Sequence, residues 1–438
     1  MDYLVIGLGI TGISTIKTLS KMGFNVYGYD SNIGSKEDEP VELKGLNYTL
    51  VFDLEDVLSK EIICIKSPGI PQHNKLIQKI SEKGIEIISD LEMAYRLFGD
   101  KNLISITGTN GKTTTTMLVN HILNESGKTS MAIGNIGVGM LWEIYTHPEI
   151  DYFVIESSSF QLDSTTTFRT KVAAFTNISP DHSDWHGSFD AYFKAKQNIF
   201  KNQKENDKLI LNIDDERLVK LKDDIKSEII PISLQDKNAQ FYYDKPFIYH
   251  EGKKIIDARK LRIPGLHNIQ NVIVALAIAS CLNVDDEDIE KACYSFNAVE
   301  HRIEFVRELK GVKFYNDSKG TNVDSTIKAL SSFENPIILI AGGYDKKVSF
   351  KGMFEQYGQR IKKLILMGET AKQMKEEAVG VKDIDVVKDM KEAVNLSYKV
   401  MRNGDIVLLS PACASWGMYK NYKDRGNEFK DLVNNLGD

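Results

Sequence analysis

The 438-residue chain is short of several things, and each shortage excludes a class of protein. Only four cysteines are present (Cys64, Cys281, Cys293 and Cys413), and none shows paired or metal-ligand spacing. That excludes a disulfide framework and fits free buried thiols in a reducing compartment. Long apolar runs are missing too, since stretches such as Ile337 to Ala341 are far too short to span a bilayer. Neither sign of charge dominates: 55 Lys and Arg stand against 61 Asp and Glu, a net charge of −6. The chain therefore has no global attraction for nucleic acid or an anionic membrane. There is no internal repeat and no low-complexity tract. The start does not read as a signal peptide, because Asp2 replaces a basic region and Tyr3 to Ile6 runs straight into a glycine turn. A cytoplasmic protein is expected. With 42% hydrophobic and 26% charged residues it reads as globular. At roughly 150 residues per domain, the length suggests about three domains.

What is present is an alternation of short apolar runs and helical patterns. Tyr3–Ile6, Asn25–Tyr29, Glu61–Ile65, Leu103–Thr107, Phe153–Ile155, Val172–Phe175, Leu209–Asn212, Ile337–Ile340, Leu364–Met367 and Ile406–Leu409 are apolar at consecutive positions. Strands buried on both faces of a parallel sheet read this way, so the fold class is α/β. From Ser227 to Pro264 the runs are closer together and rich in Tyr and Phe, with no long helix between them. A small antiparallel sheet in the middle domain is expected there. Domain boundaries are expected near Tyr95–Asp100 and near Phe296–Ala298.

Four constellations carry chemistry. Gly7-Leu8-Gly9-Ile10-Thr11-Gly12 follows a strand and opens a helix, and Asp30 stands 18 residues beyond Gly12. This pattern suits a nucleotide-linked phosphate at a helix N-terminus, or else tight strand–helix packing; NAD in particular does not follow. Next, Gly108-Thr109-Asn110-Gly111-Lys112-Thr113-Thr114 lies between a buried strand and a helix. It is a phosphate loop shortened by Ile106, where the full pattern has glycine. Third, Glu156 and His182 stand at or just beyond strand ends beside that loop and suit Mg²⁺. Lys196 shares an apolar helical stripe with Phe189 and Phe200, so it must be paired, neutralised or modified, unless it snorkels to solvent. Last, His301-Arg302, Asn316 to Asn322, Gly342 to Lys346 and Ser410 to Ser415 gather basic and hydroxyl groups beyond strands or at a domain junction. Such groups suit a carboxylate or phosphate ligand, or are ordinary loop chemistry.

Taken in order, Gly108 to Thr113, Glu156-Ser157-Ser158, His267-Asn268-Ile269-Gln270-Asn271, His301-Arg302-Ile303-Glu304 and Asn316-Asp317-Ser318-Lys319 resemble the Mur ligases, ATP-dependent amide-bond ligases of peptidoglycan synthesis. The resemblance spans the whole chain. Ser67-Pro68-Gly69-Ile70 and Ser410-Pro411-Ala412-Cys413-Ala414-Ser415, followed by Lys420-Asn421-Tyr422 and Arg425-Gly426, look most like the branch that adds D-glutamate.

The resemblance implies three domains: a Rossmann-like UDP-substrate domain (1–96), a central P-loop-type ATPase α/β domain with the small antiparallel sheet (97–297) and a Rossmann-like C-terminal amino-acid domain (298–438). It implies UDP-substrate contacts at Ile10, Thr11, Asp30, Ser31, Ser67, Asn135 and His182. ATP contacts fall at Gly108, Thr109, Asn110, Gly111, Lys112, Thr113, Thr114, Asn268, Asn271, Arg302 and Asp317. Two Mg²⁺ sites draw on Thr113, Glu156, His182 and Lys196, the last carbamylated by CO₂. Thr321, Lys346, Ser415 and Tyr422 match positions that hold the amino acid. Lys112, His182, Lys196 and Lys319 form the implied catalytic set. Gly320 stands where alanine is common, Tyr422 where phenylalanine is common, and Lys346 is followed by a second lysine, Lys347.

The implied reaction joins D-glutamate to UDP-N-acetylmuramoyl-L-alanine through an acyl phosphate and a tetrahedral intermediate, in a monomer with no nucleic-acid or membrane partner. Three rivals stand beside it. A folylpolyglutamate synthase lacks the first hundred residues' domain. An NAD-dependent dehydrogenase leaves the ATP loop unexplained. A non-catalytic nucleotide-gated binder has no use for Lys196 buried beside acid and imidazole.

Overall fold

The runs that are apolar at successive positions become parallel strands in the computed structural model, which describes residues 1–99, 102–137, 139–297, 299–345 and 348–437, apart from the side chains of 183 and 184. Three sheets form. The first orders Thr49–Leu50, Val26–Tyr29, Asp2–Ile6, Ile62–Lys66 and Glu86–Ile88, all parallel. In the second, the order is Lys253–Asp257, Phe247–His250, Phe241–Asp244, Glu228–Ser233, Lys208–Asn212, Val172–Phe175, Asn102–Thr107, Tyr152–Glu156 and Ser130–Gly134. Glu304–Leu309, Val312–Asn316, Ile406–Leu409, Ile337–Ala341, Ile361–Leu366 and Ile384–Val386 make the third. Only its first pair is antiparallel.

The Tyr- and Phe-rich stretch is antiparallel, as its spacing suggested, but it is not a separate sheet. Phe241–Asp244 pairs in parallel with Glu228–Ser233, and only the two outermost pairings of the second sheet are antiparallel. The aromatic pairs Tyr242–Tyr249 and Phe241–His250 stack across that edge, with ring centroids 4.9 and 4.2 Å apart. Such cross-strand pairs set register where no helix covers the strands.

Strand ends place the loops. In a parallel sheet, ligands collect beyond the carboxyl ends of strands, at points where neighbouring connections leave in opposite directions. The first sheet has such a point between Asp2–Ile6 and Ile62–Lys66, where Gly7 and Ser67 emerge side by side. The second has one around Asn102–Thr107, flanked by Tyr152–Glu156 and Val172–Phe175. Thr107 runs on into the glycine loop, and Glu156 and Phe175 end the flanking strands.

The chain divides into two compact units, residues 1–258 with 270–293, and residues 259–269 with 294–438. The first unit holds the first two sheets. There the helix Ile10–Lys21 packs against Met140–Thr146, and the Trp142 amide donates to the Ser14 hydroxyl at 3.0 Å. The expected boundary at 96/97 falls inside the helix Asp90–Phe98, and the one at 297/298 abuts Ala298, outside the described residues.

The helix Asp90–Phe98 also carries a tether. The Glu92 carboxylate, fully buried, accepts from the amides of Thr166, Thr167 and Phe168, from the Thr167 and Thr166 hydroxyls, and from Arg96. Burial alone would raise its pKa, but the hydrogen bonds led by Thr167 and Thr166 outweigh it and hold the group at about 2. A carboxyl depressed in the fold contributes stability above its ordinary pKa and loses it as pH falls through the folded value. Glu92→Gln should therefore cost roughly 2–3 kcal/mol at pH 7 by leaving buried donors poorly matched. Thermal melts of both proteins should show the gap closing between about pH 4.5 and 2; a gap independent of pH would contradict this account.

Candidate active site

The glycine loop of the second sheet is shaped by what its glycines lack. Gly108 has φ 151° and Gly111 has φ 83°, backbone that side-chain-bearing residues rarely adopt. A Cβ at Gly108 would overlap the Thr176 hydroxyl, and one at Gly111 the Asn271 side-chain amide. The loop can thus lie across the strand ends and present amides at the N-terminus of the helix Lys112–Glu125, the arrangement that favours phosphate. Its conformation is fixed by Asn177, whose side-chain oxygen accepts from the Asn110 amide at 2.9 Å, and by the Thr109 hydroxyl, 2.9 Å from that of Tyr192. Lys112 Nζ donates to the carbonyls of Gly108 and Thr109 at 2.9 and 3.0 Å.

Lys196 does not snorkel. It is 1% exposed, and its ammonium donates to the Gly108 carbonyl at 2.8 Å and to the Thr107 hydroxyl at 3.3 Å. Burial pushes its pKa well below the ordinary lysine value. The charge of Lys112 pushes the same way, against Asp181 and Glu156. Glu156 is 2% exposed; one oxygen accepts from the Asn135 side chain at 2.7 Å, while Oε2 is buried with no hydrogen-bond partner. A buried carboxylate oxygen left without a donor suits a cation.

His182 adopts φ 50°, strained for a non-glycine residue, and its ring packs on Phe160 with centroids 4.8 Å apart. Its side chain is 45% exposed, with Asp181 beside it. Among the described residues, no three His, Cys, Asp or Glu side chains converge as a metal cluster. Any cation here needs donors of another kind, such as the Thr113 hydroxyl or an anionic derivative of Lys196.

In the first sheet, Gly7 has φ 87°, and a Cβ on Gly12 would overlap the Gly7 carbonyl. Asp30 holds this turn: Oδ2 accepts from the Leu8 amide at 2.8 Å, while Oδ1 accepts from the Asn32 amide. The Ser67 hydroxyl donates to the Gly7 carbonyl at 2.8 Å. Both side chains expected to contact a nucleotide thus also shape its loop. Ile10 is 63% exposed at the start of the helix, and Thr11 follows it. Ser31 is exposed directly after Asp30, and Asn135 lies with Glu156 at the second sheet.

The second unit carries the remaining candidates. Asn268 donates from its side chain to the Pro264 carbonyl at 2.7 Å. Asp317 is buried, and its oxygens accept from the Ser410 hydroxyl at 2.6 Å and the Ile303 amide at 3.3 Å. Burial lifts its pKa to about 7, although those bonds and nearby Arg302 and Arg425 oppose the rise. Lys319 Nζ lies 5.5 Å from the centre of the Tyr422 ring, and the Ser318 hydroxyl donates to the Tyr422 carbonyl at 2.7 Å. Ser415 is buried, Thr321 precedes the helix Val323–Ser331, and Lys346 and Lys347 lie outside the described residues.

Sequence reasoning missed Asn177, Thr176, Tyr192 and His186. Asn177 and Thr176 follow a strand whose end was already suspected. Tyr192 reads as core, and it is its hydroxyl that meets Thr109 of the loop. The His186 imidazole, 3.0 Å from the Ser159 hydroxyl, is pushed down to about 4 by burial and so stays neutral near pH 7.

The Mur ligase MurD-like N-terminal domain matches residues 1–89, the Mur ligase middle domain 106–279, and the Mur ligase glutamate ligase domain 301–413. The UDP-N-acetylmuramoylalanine--D-glutamate ligase of Clostridioides difficile is 43% identical over 443 residues, covering 99% of this chain and 98% of that protein. The protein of the same name from Caldanaerobacter subterraneus is 40% identical over 445 residues, with the same coverage. Among solved structures, MurF of Thermotoga maritima in complex with ADP has a TM-score of 0.59 at 17% identity, covering 99% of this chain and 95% of that one. UDP-N-acetylmuramate-alanine ligase MurC of the same organism has a TM-score of 0.58 at 19% identity, covering 99% of both. The structural likenesses show the fold. The full-length identities, with three matched domains in order along the sequence, show that this chain belongs to the Mur ligase family.

Proposed function

We propose that this chain is an ATP-dependent amide ligase that adds D-glutamate to UDP-N-acetylmuramoyl-L-alanine, as a monomer in the cytoplasm. The observation that carries this reading is the identity of about 40%, over nearly the whole of both chains, to ligases named for that reaction. The phosphate loop with Lys112, Lys196 and Glu156 around it supports the ATP-using half.

A carboxylate is a poor electrophile and must first be activated. In the proposed reaction the alanyl carboxylate attacks the γ-phosphorus of ATP and ADP leaves. The D-glutamate amine, once deprotonated, adds to the acyl carbon. The tetrahedral intermediate then expels phosphate and leaves the amide. The amides of Gly108 to Thr114 cradle the phosphates, and Lys112 offsets charge on the γ-phosphoryl oxygens. Asn271, which lies against Gly111, and Asn268 are assigned to adenine by the family resemblance, and Arg302 and Asp317 to the ribose. Ile10, Thr11, Asp30, Ser31, Ser67 and Asn135 hold the nucleotide-sugar, and Thr321, Lys346, Ser415 and Tyr422 hold D-glutamate, with Lys319 beside them. The tetrahedral oxyanion depends on the cations around it more than on any single base.

Glu156 Oε2, the Thr113 hydroxyl, His182 and a carbamate on Lys196 would hold two Mg²⁺ ions. When bound, these ions spread the phosphoryl charge. Carbamylation suits Lys196 because only a neutral amine adds to CO₂, and burial favours the neutral form. The product places a carboxylate where the apolar stripe placed a cation.

Three outcomes are expected. Lys112→Ala should abolish ADP formation, read by a coupled assay; near-normal turnover would remove the phosphate-loop assignment. Lys196→Ala should be inactive and regain part of its rate with added short carboxylates, whereas normal activity without them would dismiss the carbamate. Given UDP-N-acetylmuramoyl-L-alanine, ATP and Mg²⁺ with a panel of amino acids, phosphate release should depend on D-glutamate. Release that ignores the amino acid supplied would sink the specificity.

A further inference from the structure

The helix Tyr422–Asn434 carries the most deeply buried arginine of the described residues. Arg425 is 1% exposed. Nε donates to the Ser318 hydroxyl at 3.0 Å, and Nη2 donates to the carbonyls of Ser318 and Cys413 at 2.9 and 3.1 Å. No carboxylate lies within ion-pair distance of it among the described residues. Its acceptors are two carbonyls and a hydroxyl, which satisfy hydrogen bonds without cancelling charge.

The surroundings do little to neutralise it. The guanidinium feels the Cys413 thiol and the Tyr419 hydroxyl first and the Asp317 carboxyl after them, and both oxygens of Asp317 are engaged by Ser410 and Ile303. Burial keeps that carboxyl half protonated near pH 7. Burial also lowers Arg425, to about 10, which leaves it fully charged at neutral pH. A buried, uncompensated cation is costly and persists where its field is used.

Its position says where that field falls. Ser318 precedes Lys319 and Thr321, and Cys413 stands two residues before Ser415. Nη1 faces Gly343, 3.3 Å from where a Cβ there would stand, and Gly343 adopts φ 152°. A Cβ at Gly343 would also press on the Ala414 carbonyl at 2.5 Å. Three loops beyond strand ends of the third sheet therefore close over one guanidinium. They are the loops that the ligase reading assigns to the amino acid.

We propose that Arg425 is a specificity-determining positioning residue. Its uncompensated charge, held under the Ser318, Gly343 and Cys413 loops, makes the second unit select an amino acid with two carboxylates over its uncharged side-chain amide. The inference rests on the ligase reading above. D-Glutamate with its amine deprotonated is a dianion, and D-glutamine is the near-isosteric monoanion. In a low-dielectric surrounding, one fixed cation separates the two by more than it would in water. The guanidinium need not touch the ligand to do so.

The experiment measures kcat/KM for D-glutamate and for D-glutamine in the full chain and in two variants. Arg425→Met should reduce the D-glutamate over D-glutamine preference at least tenfold. Arg425→Lys keeps the charge and should hold the preference within threefold of the parent, even with a lower rate for both substrates. A purely architectural arginine lowers both rates together and leaves the ratio alone. An unchanged ratio in Arg425→Met therefore overturns the proposal. If Arg425→Met does not fold, a preference reduced more than threefold in Arg425→Lys overturns it instead. Acyl-phosphate formation without amino acid, trapped by hydroxylamine, is measured alongside. Its absence in the parent protein overturns the ligase reading; its presence with an unchanged ratio overturns only the role of Arg425.

Discussion

The contact on which the first unit depends is the one between a buried lysine and a glycine carbonyl. Lys196 reaches from the helix Phe189–Gln197 to the underside of the loop at Gly108. The loop lies close on Thr176 and Asn177 there because Gly108 has no side chain to meet them. From that point the rest is constrained. Thr109 must meet Tyr192 and Ser179, Asn110 must meet Asn177, and Lys112 must fold over the same carbonyls. One residue thus ties the apolar helix stripe, the strand end and the phosphate loop into a single object. The same burial that fixes the geometry strips the lysine of its usual basicity, so structure and chemistry are set by one desolvation.

Charge is handled locally throughout. The chain carries a net −6, yet the proposed substrates are all anions. Long-range attraction is therefore absent, and selectivity has to come from cations placed in low dielectric, where each acts strongly over a short distance. Arg425 is of this kind; Lys196 is buried likewise, but burial takes it toward the neutral form. Lys66 is a third buried base: it is 1% exposed at the end of the strand Ile62–Lys66, donates to the Ile70 carbonyl at 3.0 Å and lies 5.2 Å from the centre of the Trp185 ring. All three donate to backbone carbonyls, and none has a carboxylate within ion-pair distance among the described residues. A carbonyl orients a cation without neutralising it.

Much of the fold was legible because parallel strands buried on both faces leave an unbroken apolar signature. Val172–Phe175 and Ile406–Leu409 appear in the structure with the limits the sequence suggested, and the other eight runs differ by a few residues at most. Strands lacking that signature escaped. Thr49–Leu50 and Glu86–Ile88 are short edge strands, and Glu304–Leu309 is a largely half-exposed antiparallel edge. The edge of the second sheet was recognised as antiparallel but not as continuous with the parallel strands. Register across Glu228–Ser233 and Phe241–Asp244 is a pairing between residues, and spacing along the chain does not encode it.

The sequence by itself determined the elements and the inventory of chemistry: a glycine loop after a buried strand, a lysine on an apolar stripe, acid and imidazole at strand ends. These are local facts, set by periodicity and by what glycine permits. Only the tertiary structure decided which of those groups meet, and in what state. It decided that Asn135 holds one oxygen of Glu156 and leaves the other bare, that Asp30 and Ser67 hold their own loop, and that Arg425 sits under three loops with no carboxylate at ion-pair distance among the described residues. Burial and desolvation sum over neighbours that are distant in the chain, so no window of sequence contains them.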